Sequence, residues 1–189
     1  MIKYLGAAAA ALSLSALSPG ALAQAGDWSM PAIGTDAYRA QATVALLGGQ
    51  LDPDLAGADA DTLLGVELSL NCPLIQPPSN RIRQQLSLTR FDDQGVEITS
   101  LELNPHYLMP LGNGLELGFG PGFGVMNVDA AGSSETLFGL QAGASLHYRR
   151  DGFFVGAEAR YQWTTEEDFG AGDTDIDNSR LLLKVGMDI

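Results

Sequence analysis

The fold is decided by the segment Leu115-Glu-Leu-Gly-Phe-Gly-Pro-Gly-Phe-Gly-Val-Met126, whose residues alternate strictly between two kinds of side chain. Leucine, phenylalanine, proline and valine occupy one parity, and glycine, glutamate and methionine occupy the other. The last segment, Arg180 to Ile189, alternates in the same way. A period of two is typical of a β-strand whose two faces meet different surroundings. Both segments therefore predict strands with one apolar face.

The same alternation predicts eight strands along the chain, over residues 38–48, 62–71, 81–90, 97–108, 115–126, 136–148, 153–163 and 180–189. Each is close to the ~9–11 residues with which a tilted strand crosses a bilayer, whereas strands of soluble proteins usually have about 5–6. The acidic, mostly long connections 49–61, 91–96, 127–135 and 164–179 alternate with two short turns, 109–114 and 149–152, and the proline-rich connection 72–80. The pattern predicts an all-β fold, an eight-stranded antiparallel up-and-down transmembrane barrel over residues 38–189.

Composition narrows the class of protein. The chain has 189 residues, 10 of them Lys or Arg and 23 Asp or Glu, which gives a net charge of −13. This length predicts one domain, and 46% hydrophobic residues argue against a disordered acidic chain. The acidic balance argues against nucleic acid as a partner, because phosphate binding needs a basic surface. A single cysteine, Cys72, excludes an intramolecular disulfide framework and a cysteine-rich zinc site.

The N-terminus has the features of a secretory signal. Lys3 precedes an apolar run over residues 4–17, and Ala21-Leu-Ala23 supplies a small-residue cleavage site. We expect a signal peptide over residues 1–23 and a short periplasmic segment over residues 24–37. The remaining chain contains no apolar run of about 18 residues, so we expect no transmembrane helix.

The aromatic residues on the apolar parity are sorted toward the two ends of the predicted strands. Tyrosine and tryptophan favour the headgroup region of a membrane, so two such bands predict that the apolar face meets lipid. A soluble barrel with an apolar interior has no comparable reason to sort its aromatic residues. The predicted girdle residues are Tyr38, Tyr107, Tyr148 and Phe153 beside the short turns, and Phe123, Phe138, Tyr161 and Trp163 beside the acidic connections.

The opposite parity carries charges of both signs, which predicts a lumen filled by a polar network. Charged groups are buried only when they pair and form hydrogen bonds, and both signs are available here. A closed barrel also satisfies every backbone polar group in lipid. The predicted network consists of Arg39, Glu67, Arg83, Glu102, Glu116, Glu158, Arg160 and Lys184.

Three segments, Leu103-Asn-Pro-His-Tyr107, Leu117-Gly-Phe-Gly-Pro-Gly-Phe-Gly124 and Gly156-Ala-Glu-Ala-Arg-Tyr161, resemble those of the small eight-stranded outer-membrane barrels of Gram-negative bacteria, the OmpA-like and OmpX-like proteins. The resemblance covers nearly all of the chain after the signal. It implies a location in the outer membrane, insertion by the barrel-assembly machinery, and contact with outer-membrane lipid and lipopolysaccharide.

Other motifs do not point to catalysis or to a bound group. The glycines of Gly118–Gly124 recur every second residue, unlike a nucleotide-binding loop. The acids at Asp173–Asp177 lack the glycine and the final acid of a calcium loop. Ser145 and His147 share the inward parity, where no acyl chain would reach them, which disfavours a lipid-modifying enzyme. We therefore expect no catalytic residues, no metal ligands and no cofactor site, and Cys72 has no neighbour that would activate its thiol.

Fifteen of the 23 acidic residues lie in or beside the four acidic connections. They are Asp52, Asp54, Asp59, Asp61, Asp92, Asp93, Glu97, Asp129, Glu135, Glu166, Glu167, Asp168, Asp173, Asp175 and Asp177. We expect these connections to face outward and the protein to act without catalysis, in envelope integrity or in surface interaction. A narrow channel or small-ligand transporter and an adhesin remain alternatives, and no extracellular ligand is indicated.

Overall fold

The computed structural model describes residues 28–55, 58–130, 132–168 and 173–189. The predicted signal peptide and residues 24–27 of the predicted periplasmic segment lie outside the described residues. The strands are β1 (Thr43–Pro53), β2 (Asp61–Asn71), β3 (Ile82–Asp93), β4 (Val96–Gly112), β5 (Leu115–Ala130), β6 (Ser133–Arg150), β7 (Phe153–Thr164), β8 (Glu167–Asp168), β9 (Asp173–Thr174) and β10 (Asn178–Asp188). Within these ranges, no helix is long and apolar enough to cross a membrane.

Eight of the strands form one closed antiparallel barrel in the order β1-β10-β7-β6-β5-β4-β3-β2. The first barrel strand pairs with the last, and the register runs from Thr43 opposite Asp188 to Pro53 opposite Asn178. The short strands β8 and β9 form a separate hairpin in the connection between β7 and β10. The predicted fold class is confirmed, because an eight-stranded ring with neighbouring strands paired is an up-and-down barrel.

The tight turns have the backbone geometry that their sequences require. Asn113 and Gly114 have φ values of 52° and 81°, and Asp151 and Gly152 have 52° and 80°. Two successive residues with positive φ form the turn type whose twist matches that of paired strands, and Asn-Gly and Asp-Gly favour it. Gln94 and Gly95, with φ values of 49° and 86°, make the same turn between β3 and β4.

The strands differ from their predicted bounds mainly at the acidic end. β3 and β4 meet at Gln94-Gly95, and β5 extends to Ala130, so two of the four predicted acidic connections are tips of long hairpins. The alternation continues beyond Met126, since Val128 is buried while Asp129 is exposed. Acidic residues are as compatible with the wet outer face of an extended strand as with a loop, and the prediction of a loop there was wrong.

The segment over residues 28–42 packs against the connection between β2 and β3. The backbone nitrogens of Ala32 and Ile33 donate to the Pro73 carbonyl at 3.0 and 2.9 Å. The Tyr38 hydroxyl donates to the Asn71 carbonyl at 2.9 Å. Burial raises the pKa of the Tyr38 phenol above its ordinary value. The predicted first strand therefore begins at Thr43 rather than at residue 38, since residues 38–42 belong to this segment.

The two faces of the barrel wall are chemically opposite. On β10, Leu183 is 64% exposed on the outer surface, whereas its neighbours Leu182 and Lys184 are 0% and 1% exposed and lie inside. The outward apolar side chains form a belt around the barrel that consists mainly of leucine, valine and aromatic residues. The inward side chains include most of the buried charged and amide residues. An apolar exterior around a polar interior is the arrangement of a barrel that stands in lipid.

Candidate functional site

The interior of the barrel contains three groups of side chains, which adjoin one another along the strands. The outer cluster, at the acidic end, contains Leu51, Leu63, Phe91, Val96, Ile98, Met126, Val128, Ala130, Leu137, Ile176 and Leu182. The central network contains Glu67, Glu102, Glu158, Arg160, Arg180 and Lys184. The inner pocket, at the end with the short turns, has a volume of about 510 Å³ and is lined mainly by polar side chains.

Glu102 joins two arginines of the central network. Its Oε2 lies 2.6 Å from Arg160 Nη1, and its Oε1 accepts a hydrogen bond from Arg180 Nη1. All three side chains are buried, with at most 1% exposure. Gln162 Oε1 accepts a further hydrogen bond from Arg180 at 2.6 Å. The carboxylate therefore holds together β4, β7 and β10 from inside the barrel.

The remaining members of the network form a continuous chain with this group. Lys184 Nζ lies 2.5 Å from Glu67 Oε2 and 2.5 Å from Glu158 Oε2. Glu158 also accepts a hydrogen bond from Arg160 Nε, and Arg160 Nη2 lies 3.6 Å from Glu67. Three carboxylates thus face three cations, and the network carries no net charge. Buried ion pairs are tolerated under these conditions of pairing and hydrogen bonding.

Inward glycines make room for the network. A Cβ added at Gly139 would meet the side chain of Gln162, and one at Gly124 would meet that of Glu102. A Cβ at Gly122 would collide with Asn104, which accepts a hydrogen bond from Gln141 at 2.6 Å. The alternate glycines of β5 therefore serve the packing of large polar side chains across the lumen.

The structure brings together most of the predicted network residues. Glu67, Glu102, Glu158, Arg160 and Lys184 belong to the central network, and Arg83 is buried beside the inner pocket.

Two other residues lie elsewhere. Glu116 is half-buried at the inner pocket, where its carboxylate is 3.7 Å from Arg149. Arg39 is exposed, and its guanidinium donates to the backbone carbonyls of Asp36 and Tyr38. Its assignment to the network was wrong, because the strand parity does not extend before Thr43.

Arg180 is a member of the network that the prediction omitted. It shares the inward parity of Lys184 on β10, so the alternation itself places it inside. Its position next to the acidic connection obscured this role, since that end of the barrel was treated as a loop.

The outer cluster closes the lumen toward the acidic end. Its residues come from seven of the eight barrel strands, and each is at most 8% exposed. Ile176, from the connection before β10, completes the cluster and is fully buried. Its backbone nitrogen donates to Thr164 Oγ1 at 2.8 Å, and Asp177 Oδ1 accepts from the Thr164 nitrogen at 2.9 Å. Together with the buried polar side chains of Arg180 and Asn178, which lie beyond Leu182 on the same face of β10, the cluster fills this end of the lumen.

The predicted girdle residues face outward at several heights. Tyr107, Tyr148 and Phe153 lie toward the short turns, and Tyr161 and Trp163 lie toward the acidic end with their ring centroids 5.0 Å apart.

Phe138 also lies toward the acidic end, whereas Tyr38 and Phe123 differ from the prediction in position. Tyr38 precedes β1 and lies beside it rather than on it. Phe138 lies in the outer part of β6, and Phe123 lies near the middle of β5, opposite Leu103 and Leu140. Phe123 was predicted near the acidic end, and the prediction was wrong because β5 continues to Ala130.

One cluster has the residue types of a hydrolytic site. Ser145 Oγ lies 3.5 Å from His106 Nδ1, and Glu158 Oε1 lies 3.9 Å from His106 Nε2. All three side chains are buried, and Glu158 is already committed to Arg160 and Lys184. Among the described residues no group of three or more His, Cys, Asp or Glu side chains is placed to hold a metal ion. The group acts as part of the polar lumen.

Comparison with known proteins finds the same architecture in solved structures. No protein-family model matches the chain, and no curated protein matches its sequence. Neisserial surface protein A (NspA) is similar with a TM-score of 0.57 and 14% identity, covering 78% of this chain and 96% of that one. The N-terminal β-barrel domain of Pseudomonas aeruginosa OprF is similar with a TM-score of 0.53 and 18% identity, covering 80% of this chain and all of that domain. The chain has the fold of the small outer-membrane β-barrels.

A third structure with this fold is Ail, the attachment invasion locus protein of Yersinia pestis. Its TM-score is 0.50 and its identity is 16%, over 80% of this chain and 100% of that one. The small outer-membrane barrel fold thus accounts for both the apolar belt and the polar lumen, whereas these low identities carry no information on individual site residues.

Proposed function

We propose that the protein resides in the outer membrane, where it supports envelope integrity or surface interaction through its acidic outer end and catalyses no reaction. The observation that carries this proposal is the filling of the lumen by buried side chains, those of the outer cluster and of the central network. Because these side chains occupy the interior, we expect the outer surface of the barrel to make the contacts with partners. An eight-stranded barrel has an interior that side chains fill.

The charge distribution supports the outer surface as the functional part. Acidic residues dominate that end of the barrel, and Arg90 is the only exposed arginine or lysine on the described outer ends of the strands. Its guanidinium is paired with Glu97 at 2.6 Å. A surface of one sign repels many partners and selects those with basic or cation-bridged surfaces.

An adhesin is the second candidate, and the protruding hairpins favour it. β4, β5 and β6 have 17, 16 and 18 residues, whereas β1, β2 and β10 have 11 each. Two hairpins therefore extend beyond the shorter side of the barrel. Two proteins with this fold are named Neisserial surface protein A and attachment invasion locus protein, and these names support such a role.

The location and the closure of the barrel can be tested together. The full chain, expressed in a Gram-negative host, is expected in the outer-membrane fraction, and unboiled samples should migrate on a gel differently from boiled ones. The wild-type protein in planar bilayers should give no steady conductance, because buried side chains fill the lumen. A soluble periplasmic product would contradict the proposed location, and a steady conductance would favour the narrow-channel alternative.

The surface role needs a variant that keeps the barrel intact. Replacing Asp52, Asp54, Asp92 and Asp129 by Asn removes charge from the outer end without touching Ile176, which belongs to the outer cluster. Binding of cells to a host or matrix surface should then fall while the gel mobility of the folded barrel is unchanged. A matched control is Asp151→Asn, an acidic residue exposed at the opposite end. Equal effects of both changes would contradict a role for the acidic outer end.

A further inference from the structure

Arg83 differs from every cation of the central network. It is 7% exposed, yet among the described residues no carboxylate lies within 4.0 Å of its guanidinium. Its Nη2 instead lies near four neutral oxygens, the Gln41 carbonyl at 2.9 Å, Thr43 Oγ1 at 3.1 Å, and the Ser69 carbonyl and Oγ at 3.2 and 3.0 Å. A buried guanidinium without a counter-charge is costly, whereas a paired one is tolerated.

This arginine lies at the wall of the inner pocket. The pocket has a volume of about 510 Å³, opens at the end with the short turns, and is also lined by Arg81 and Arg149. Two carboxylates, Glu116 and Asp188, line it as well. Both are engaged by Arg149, whose Nε is 3.7 Å from Glu116 and whose Nη1 contacts Asp188. Among the described residues, Arg149 contacts both of these carboxylates, whereas no carboxylate lies within 4.0 Å of Arg81 or Arg83.

The remaining lining groups suit a small anion with oxygen atoms. The side chains of Asn71 and Asn80 line the same pocket and carry amide N–H donors. Both N–H groups of Asn71 are used, toward the Arg39 carbonyl at 2.7 Å and Gln41 Oε1 at 3.1 Å. Asn80 Nδ2 donates one N–H to the Ala37 carbonyl at 2.9 Å and carries a second N–H that can face an anion. Arginine matches carboxylate and phosphate geometry with two parallel N–H donors.

We propose that the inner pocket binds a small oxyanion, a carboxylate or a phosphate group, with Arg83 as the principal ligand and Arg81 as the second. The anion enters from the short-turn side of the barrel. The site is separate from the acidic outer end, so the proposal does not depend on the surface role. The anion supplies the charge partner that Arg83 lacks, and it ties β3 to the segment before β1.

The proposal is tested with folded protein in nanodiscs of phosphatidylcholine, a lipid without net charge. Inorganic phosphate is the probe. Phosphate should shift the side-chain Nε–Hε NMR signal of Arg83 in a saturable manner, and sodium chloride at the same ionic strength should not. At a concentration 100 times its Kd, phosphate should raise the folding equilibrium constant about 100-fold. Arg83→Gln should abolish the stabilisation by phosphate.

Two further variants keep the test decisive if Arg83→Gln fails to form a barrel. Arg81 lies before β3 rather than in it, so Arg81→Gln should fold and should weaken phosphate binding about tenfold. Arg150→Gln is the matched control, since Arg150 lies at the same end, is 74% exposed and does not line the pocket. It should leave phosphate binding unchanged.

The source of the anion is resolved by a second lipid composition. If phosphate alone has no effect but nanodiscs containing phosphatidylglycerol stabilise the wild type and not the Arg81→Gln variant, the ligand is a lipid headgroup and the proposal stands. If neither phosphate nor phosphatidylglycerol acts, or if Arg150→Gln abolishes the effect as fully as Arg81→Gln does, the proposal is wrong.

Discussion

The outer cluster and the central network occupy the same lumen on the same strands, and they differ in what they require of their neighbours. On β10, Leu182 belongs to the cluster and Lys184 to the network, one inward position apart. Apolar burial is non-directional and tolerates small changes of shape, whereas each ion pair needs its own partner at a fixed place. Strand parity thus decides which residues lie inside, but not their chemistry, since apolar Leu182 lies between Arg180 and Lys184 on the inward face of β10.

The largest effect is expected from breaking the network at Glu102. Glu102→Gln leaves Arg160 and Arg180 short of their shared carboxylate, and loss of one partner of a buried pair costs about 3–5 kcal/mol. The free energy of unfolding in lipid vesicles, from urea titrations followed by gel mobility, checks this value. A decrease below about 1 kcal/mol would show that water solvates these two arginines and that the ion pairs with Glu102 contribute little.

A somewhat smaller loss is expected in the outer cluster. Leu182→Ala removes a fully buried side chain and should lower the free energy of unfolding by about 2–5 kcal/mol, with the exact value set by how well the cavity collapses. The matched control is Leu183→Ala, at the next residue on the lipid face, where lipid fills the space. The same urea titration compares the two variants. Equal losses would argue that the two faces of β10 meet similar surroundings.

Charge on the outer wall tests the lipid belt around both zones. Leu183 is in the middle of β10, so Leu183→Arg should cost about 2–4 kcal/mol in a bilayer. Leu115→Arg, at the inner end of β5, should cost only about 0–1 kcal/mol, because the headgroup region accepts the guanidinium. Refolding into vesicles at several urea concentrations measures both. If the loss of free energy does not depend on the depth of the arginine in the bilayer, the assignment of this face to lipid is wrong.

The smallest effect is expected at an ion pair with the same separation as one in the network. Arg90 and Glu97 are 2.6 Å apart, as are Arg160 and Glu102, but their side chains are 61% and 35% exposed. Glu97→Gln should therefore cost about 0.2–1 kcal/mol, and the difference from wild type should shrink at high salt. A loss as large as that of Glu102→Gln would mean that burial does not set the strength of these pairs.

The sequence predicted which side chains of the barrel strands face outward and which face the lumen. It did not predict where apolar and ionic side chains lie within the lumen. Alternation along Leu115–Met126 and Arg180–Ile189 predicted which side chains face outward, and the Asn-Gly and Asp-Gly pairs predicted two of the turns. The outer cluster was missed because Val128 and Ala130 stand among acidic residues that resemble a loop. Contacts such as Glu102 with Arg180 join residues far apart in the chain, and their pairing depends on the register around the whole ring. Likewise, only the structure shows that no carboxylate of the described residues lies within 4.0 Å of the Arg83 guanidinium.

The junction between β1 and β10 has a consequence for how the barrel assembles. Thr43 lies opposite Asp188, so the ring is completed only when nearly the whole chain has been placed. Contacts between such distant positions carry a large loop-closure entropy and slow the folding of a protein. Until that last seam forms, two strand edges expose unpaired amides, which are costly in hydrocarbon and prone to pairing with other chains. Removal of either terminal strand should therefore yield aggregation rather than a smaller barrel.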